Sequence, residues 1–207
     1  MDDKGRVFSI GLNKVSLPIK DKNSFEFVFC GYPGTGVSTA GKVLSETAIL
    51  DGWNSQLFPI PPSNEIGPYV ISCVRISKNN IFPRDIHLNP DFLILFDINL
   101  WNHVVGFGSG NETILIINSP KSVGDIKRLV KSDAKILSFN ATELSEYFLG
   151  KNFPNLVILG ALFKVFGRLS LSSAENSLRE KYKYQFGQEM VEKNAIAMRM
   201  GFNEMTQ

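Results

Sequence analysis

The sequence predicts an α/β fold: one three-layer α/β/α domain built on a mostly parallel, mixed sheet. Three observations carry that expectation. Short strand-like apolar runs alternate along the chain with segments of helical period, the arrangement that βαβ units produce. Two of those runs, FLILFD at 92–97 and TILIINS at 113–119, are apolar without alternation, as strands buried on both faces are. The chain has 207 residues, 43% of them hydrophobic, and a mean hydropathy of zero, which suits one core and is short for two. The domain is expected over 25–207, behind an N-terminal extension at 1–24.

FEFVFC at 25–30 reads as the first strand, and it runs into the glycine-rich turn GYPGTG at 31–36. Behind the turn, Val37, Ala40, Leu44, Thr47 and Ala48 recur every three or four residues until Asp51-Gly52, so a helix is expected there. WNSQLF at 53–58 is a second strand. The prolines of FPIPPSN, 58–64, then predict a stiff loop that cannot continue a ladder. YVISCVRIS at 69–77 alternates but has apolar residues on both faces, and Asn79-Asn80 closes it with a turn. The two buried strands are joined through Gly106, Gly108 and Gly110, and AKILSF at 134–139 is a shorter strand. Four helices complete the chain. They cover 142–149; 155–166, apolar almost all round and therefore buried; 172–183, opening with the capping-box spacing Ser172-x-x-Glu175; and 188–200.

Composition removes several functions. Twenty-two basic against twenty acidic side chains leave +2, which is too little for wrapping nucleic acid or an anionic membrane. No apolar run approaches the roughly 18–20 residues of a membrane helix. The start MDDKG has neither the basic nor the apolar region of a signal peptide, so the expected location is the cytoplasm. Cys30 and Cys73 are too few for an iron–sulfur cluster or a four-thiolate zinc site and are expected to pack in the core. His87 and His103 stand at no metal-ligand spacing, and Ser109 in Gly106-Phe107-Gly108-Ser109-Gly110 forms no nucleophile elbow. No catalytic residue and no metal ligand is therefore expected. Trp53, Phe58, Tyr69 and Trp101 are read as core residues, some of them at a subunit interface.

The segment GYPGTGVST at 31–39 alone looks suited to an anion, because a glycine turn entering a helix aims free N–H groups at one spot. It fits neither familiar template. Val37 and Ser38 come after the second glycine where a P-loop needs lysine first, and Thr39 falls where a dinucleotide fingerprint needs its third glycine. Two readings stay open: the glycines only turn the chain at close quarters, or Gly31, Gly34, Thr35, Gly36 and Ser38 touch a ligand or line a channel.

Together these segments resemble the gamma subunit, or fused domain III, of the 2-oxoacid:ferredoxin (or flavodoxin) oxidoreductases, the pyruvate synthase group. The likeness runs over about 25–202. The family's G-R-G-G-Q-G-V turn is similar to GYPGTGV at 31–37, and its F-P-x-x-x-P-E-R-R-G segment to Phe58, Pro59 and Gly67. A strand ending R-I-S resembles Arg75, Ile76, Ser77; P-D-Y-hydrophobic-D resembles Pro90-Asp91-Phe92 to Asp97; and L-I-I-N-S and D-A-T-E resemble 115–119 and 140–143. The C-terminal third is the most specific. Pro154, Asn155, Leu159, Gly160, Ala161, Lys164, Gly167, Ser170 and Leu171 fit one pattern, and Lys193, Asn194, Ala197, Arg199, Gly201 and Phe202 a second.

The resemblance implies a non-catalytic subunit of a complex that oxidatively decarboxylates a 2-oxoacid such as pyruvate, usually to the acyl-coenzyme A. It implies no cofactor on this chain. Thiamine diphosphate, magnesium and iron–sulfur clusters belong to alpha, beta and ferredoxin-like delta partners, with ferredoxin or flavodoxin as acceptor. The gamma part helps form the approach of coenzyme A, and 58–67, with Phe58, Pro59, Ile60, Ile66 and Gly67, is expected at the subunit interface. This chain departs from the family at the turn, where Tyr32, Pro33 and Thr35 replace Arg, Gly and Gln. It departs again where Ser63, Asn64, Glu65 and Ile66 replace Pro, Glu, Arg and Arg. Three arginines suited to phosphate or carboxylate are thus gone. A stand-alone nucleotide-binding module and a structural paralogue without an enzyme are the competing readings.

Overall fold

A computed structural model describes residues 22–60, 67–81, 89–104, 112–132 and 134–205, and of residue 186 the backbone only. Six strands form one sheet: β1 (Ser24–Gly31), β2 (Asn54–Ile60), β3 (Val70–Ser77), β4 (Phe92–Leu95), β5 (Ile114–Asn118) and β6 (Lys135–Phe139), in the order β2-β3-β1-β4-β5-β6. β1, β4, β5 and β6 are parallel neighbours. β3 pairs antiparallel with both β1 and β2, so it alone runs against the other five. The helices are α1 (Val37–Leu50), α2 (Trp101–Val104, after a single 3-10 turn at Ile98–Leu100), α3 (Val123–Val130), α4 (Ala141–Leu149), α5 (Asn155–Phe166), α6 (Leu171–Phe186) and α7 (Gln188–Glu204).

Alternation along the strands sorts the core into two layers. Phe25, Phe27 and Phe29 of β1 face α1, α5, α6 and α7, while Val28 and Cys30 face the side that α2 and α3 cover. Phe27 stacks on Phe92 across the β1–β4 pair at 5.1 Å. Phe166, the last residue of α5, meets Phe25, Phe27 and Phe92 edge-on at 4.9, 5.2 and 5.7 Å. Such ring pairs add about 0.5–1.5 kcal/mol each beyond their area.

As its all-round apolar sequence predicts, α5 is buried on every side; ten of its twelve residues are buried. It lies so close to α7 that a Cβ on Gly160 would overlap the carbonyl of Met198, and one on Gly201 the carbonyl of Val157. α6 closes over this pair through charge. Arg199 of α7 donates to both carboxylate oxygens of the buried Glu175, with Nη2 2.7 and 2.8 Å away. Asp51, at the end of α1, accepts from Ser170 N and Ser173 Oγ, each at 2.6 Å, and so anchors the start of α6.

Four elements differ from expectation. β2 continues through Pro59 to Ile60, where a loop is expected, with Pro59 opposite Ser72 and Ile60 opposite Ile71. The reason is position: β2 is the outer strand of the sheet, and proline's missing donor is tolerated there. α3 has no counterpart in the sequence reading, because its eight residues give the helical period only two turns, and Gly124 interrupts them. Its local signal is the cap, since Ser122 Oγ accepts from Asp125 N at 3.1 Å. α2, a single turn, likewise has no counterpart. Finally, α6 is capped by Ser170, which accepts from Ser173 N, and not by Ser172; Glu175 serves Arg199 instead of a capping box. Trp53, Tyr69 and Trp101 are core residues, and Phe58 is half-buried. His87, Gly106, Gly108, Ser109 and Gly110 lie outside the described residues, as do residues 1–21 of the extension expected at 1–24.

The helix packing and the buried thiols each give a testable expectation. Gly160→Ala forces α5 and α7 apart and should cost about 1–3 kcal/mol, the scale of overpacking. A melt should fall by roughly 2–4 °C per kcal/mol for a chain of this length; an unchanged melting temperature would refute the close approach. Burial also raises the thiols of Cys30 and Cys73 from 9.0 to about 12. An unfolded thiol ionises first, so this stabilisation is complete below pH 9 and is lost as the pH rises from 9 towards 12. Both thiols should resist a disulfide-exchange reagent at about pH 8, near the ordinary thiol value, until the chain unfolds, a release that absorbance records.

Candidate functional site

The parallel strands end together, and their carboxyl ends form one polar edge. Helices leave β1 and β4 towards opposite flanks of the sheet, which makes the β1–β4 boundary the switch point where α/β domains open a crevice. The glycine turn sits on that boundary. Gly31 ends β1 buried, with space for no Cβ: the atom would lie 2.6 Å from Val37 Cγ2 and 3.0 Å from Phe96 Cβ. The chain then doubles back. Thr35 N and Oγ1 both donate to Tyr32 O, at 3.2 and 2.7 Å. Gly34 and Gly36 take φ of +85° and +84°, a region open to glycine at little cost.

Gly36 is also the N-cap of α1, and no side chain caps that helix. Asn155, the first residue of α5, fills the space a Cβ would need, its Cγ 2.6 Å from that position. α5 itself starts from Pro154 without a side-chain cap. Two helix N-termini, each with unpaired N–H groups and a positive dipole end, thus meet at the turn.

The turn divides two hollows. On the sheet side, a crevice of about 650 Å³ lies over the ends of β4, β5 and β6, lined by Tyr32, Thr35, Asp97, Asn118, Lys121 and Asn140 among others. Its polar groups are largely engaged. Asn118 donates to Phe96 O and Thr142 Oγ1 and accepts from Thr142 N, Asp97 accepts from Asn99 N, and Asn140 caps α4 through Glu143 N. On the other side, a pocket of about 490 Å³ lies between α1, α5 and α7. Gly34, Gly36, Ser38, Thr39, Asn155 and Asn194 bring polar atoms to it, and Val37, Val70, Leu149, Leu156 and Leu178 make its apolar walls.

The sequence-predicted set is therefore split. Gly34, Gly36 and Ser38 line the pocket, Thr35 lines the crevice, and Gly31 lines neither. Phe58, Pro59 and Ile60 belong to edge strand β2, with Pro59 exposed and its neighbours half-buried against the second core layer. Gly67 holds φ +109° with its Cα beside the Tyr69 ring, 2.6 Å from where a Cβ would sit. Ile66 lies outside the described residues. Sequence reasoning missed Asn155 and Asn194 as pocket residues, although both stand in the P-N and K-N patterns of the C-terminal third. It also missed Asn118, Ser119 and Asn140, whose signal is a polar residue just after an apolar parallel strand. His103 is an exposed residue of α2 whose ring lies 5.2 Å from that of Tyr69. Among the described residues no cluster of three or more His, Cys, Asp or Glu could hold a metal ion, and no helix is long and apolar enough to cross a membrane.

A six-stranded mixed sheet with a glycine turn at its switch point and helices on both faces defines the class, a three-layer α/β domain. Residues 26–204 match the pyruvate ferredoxin/flavodoxin oxidoreductase family, and the chain belongs to it. It is 31% identical over 181 residues to the pyruvate/ketoisovalerate oxidoreductases common subunit gamma of Pyrococcus furiosus, covering 86% of this chain and 96% of that one. It is 28% identical over 184 residues to pyruvate synthase subunit PorC of Thermotoga maritima, 89% and 96% covered. The crystal structure of the Thermotoga maritima pyruvate oxidoreductase subunit PORC superposes with a TM-score of 0.73 at 27% identity, over 88% of this chain and 97% of that one. The fold also recurs in 2-oxoglutarate:ferredoxin oxidoreductase from Magnetococcus marinus, with a TM-score of 0.74 at 17% identity, where it makes up 31% of a longer chain.

Gly36→Ala carries two penalties, a left-handed backbone and a collision with Asn155, and should cost more than the roughly 1 kcal/mol typical of the backbone effect alone. Gly34→Ala has the same left-handed backbone and no neighbour within 4 Å, so it should cost only that. Paired chemical melts measure the difference; equal losses would mean that Asn155 does not press on the turn.

Proposed function

We propose that this chain is the gamma subunit of a thiamine diphosphate-dependent 2-oxoacid:ferredoxin oxidoreductase. The observation that carries this reading is end-to-end similarity to whole gamma-type subunits, such as the 96% coverage of the Pyrococcus furiosus common subunit gamma. The chain contributes no catalytic group. Its role is to hold partners and to shape the ligand approach, while thiamine diphosphate, magnesium and iron–sulfur clusters reside on alpha, beta and delta subunits and electrons leave to ferredoxin or flavodoxin. The setting is the cytoplasm.

In this reading the carboxyl edge of the sheet faces the active-site channel. The glycine turn, through Gly31, Gly34, Thr35, Gly36 and Ser38, borders the route by which coenzyme A reaches the acyl group. The edge strand and the segment beyond it, Phe58, Pro59, Ile60, Ile66 and Gly67, dock against the partner subunits. An outer strand stiffened by Pro59 loses little entropy on docking, which favours association.

Co-expression with the thiamine-binding and cluster-binding chains tests the assignment. A complex carrying thiamine diphosphate and iron should be recovered through a tag on this chain. Recovery of the chain alone, with its candidate partners expressed and soluble, would refute it. Pro59→Lys combined with Ile60→Asp should weaken association at least about tenfold, worth about 1.4 kcal/mol, while circular dichroism of the lone variant stays unchanged.

A further inference from the structure

We propose that the pocket between α1, α5 and α7 binds a small molecule made of one carboxylate head on an apolar body, and that Asn155 orients the head. The proposal shares with the proposed function the reading of the glycine turn as a ligand contact, but it concerns the pocket side of the turn, Gly34, Gly36 and Ser38, and not the crevice side at Thr35, where the coenzyme A route would run.

The volume, about 490 Å³, lies within the range of small-molecule sites. Its walls are mainly aliphatic, from Val37, Val70, Leu149, Leu156 and Leu178, so most of a ligand's surface would meet hydrocarbon. Its polar end is made to receive, because α1 and α5, fourteen and twelve residues long, both begin there without side-chain caps. Their first N–H groups and positive dipole ends converge on one place.

A second, independent observation is Asn155. The residue is only 7% exposed, its side chain lines the pocket, and among the described residues it makes no hydrogen bond. Its amide end lies against the α1 N-cap, and its polar atoms are not sealed from the pocket, so an oxygen bound there would supply the partner that the protein does not. The hydroxyls of Ser38 and Thr39 and the amide of Asn194 are equally uncommitted among the described residues. In the neighbouring crevice, by contrast, Asn118, Asp97 and Asn140 are already engaged in caps and turns.

The charge balance sets the valence. Lys151 is the one charged residue in the described lining, and no Asp or Glu faces it. Lys151 is exposed and its charge is screened by water, so the field inside the pocket is that of the two helix ends, about +0.5 each, which together match a single negative charge. A diphosphate carries more negative charge than these helix ends match, and no arginine lines the pocket to meet it.

Isothermal titration of the full chain with 4-phenylbutanoate, 4-phenylbutan-1-ol and ADP tests the proposal. The acid should bind saturably at one site, the alcohol at least tenfold more weakly, and ADP should not compete with the acid. Asn155→Asp should reduce acid binding at least tenfold without lowering the melting temperature, since a carboxylate at two helix N-termini is favourable there. Met190→Trp, which takes up space in the pocket from the α7 side, should also weaken the acid and serves as the independent variant should Asn155→Asp fail to fold. Equal binding of acid and alcohol, displacement of the acid by ADP, unchanged affinity in both variants, or no saturation by the acid would each overturn the proposal. Absent acid binding with normal recovery of the multi-subunit complex refutes the pocket alone. Normal acid binding with no complex refutes the subunit assignment alone.

Discussion

Helix α5 runs through the interior, and the rest of the domain is arranged by what its two ends and its waist touch. Its C-terminal ring, Phe166, plugs the aromatic cluster of β1 and β4. Its waist, Gly160, lets the α7 backbone approach to contact. Its first residue, Asn155, presses on Gly36 and so keeps the β1–α1 turn in the left-handed conformation that the turn needs. The sides of α5 are buried, but its N-terminus lies between the two hollows, where the first N–H groups, left without a side-chain cap, face the glycine turn.

That constraint explains why the chemistry of the molecule gathers at one edge. The parallel strands carry their backbone donors and acceptors to a common end, and α1, α4 and α5 all begin there. Where a side chain is available as a cap, as with Asn140 at α4, the end closes. Where glycine and proline stand instead, as at α1 and α5, the end stays open. The two hollows beside the turn therefore differ in kind: one is a crevice whose polar groups largely hold one another, the other a pocket whose polar side chains hold nothing among the described residues.

The antiparallel insertion of β3 has a different consequence. It places β2 at the sheet margin, with Pro59 exposed on it, so Phe58, Pro59 and Ile60 stand on a paired strand and not in a loop. Glu175 and Arg199 tie α6 to α7, and Asp51 ties the start of α6 to the end of α1, charged groups whose bonds are made within the domain.

The class of fold, the strands between 25 and 139, the burial of α5 and the family are all legible in the order of the amino acids. These are local or periodic properties: a run of apolar residues or a motif at fixed spacing declares itself without knowledge of its neighbours. Even the turn at 31–36 is legible, because glycine at left-handed positions is a local necessity. Other features depend on partners far apart in the chain, and they emerge only once the elements are packed. Pro59 joins a strand because β3 pairs with one side of β2 and leaves the other free. Glu175 leaves its expected cap because Arg199 lies beside it. Asn155, far along the chain from Gly36, becomes a pocket residue because α5 starts where α1 starts, and no spacing rule within either segment encodes that meeting.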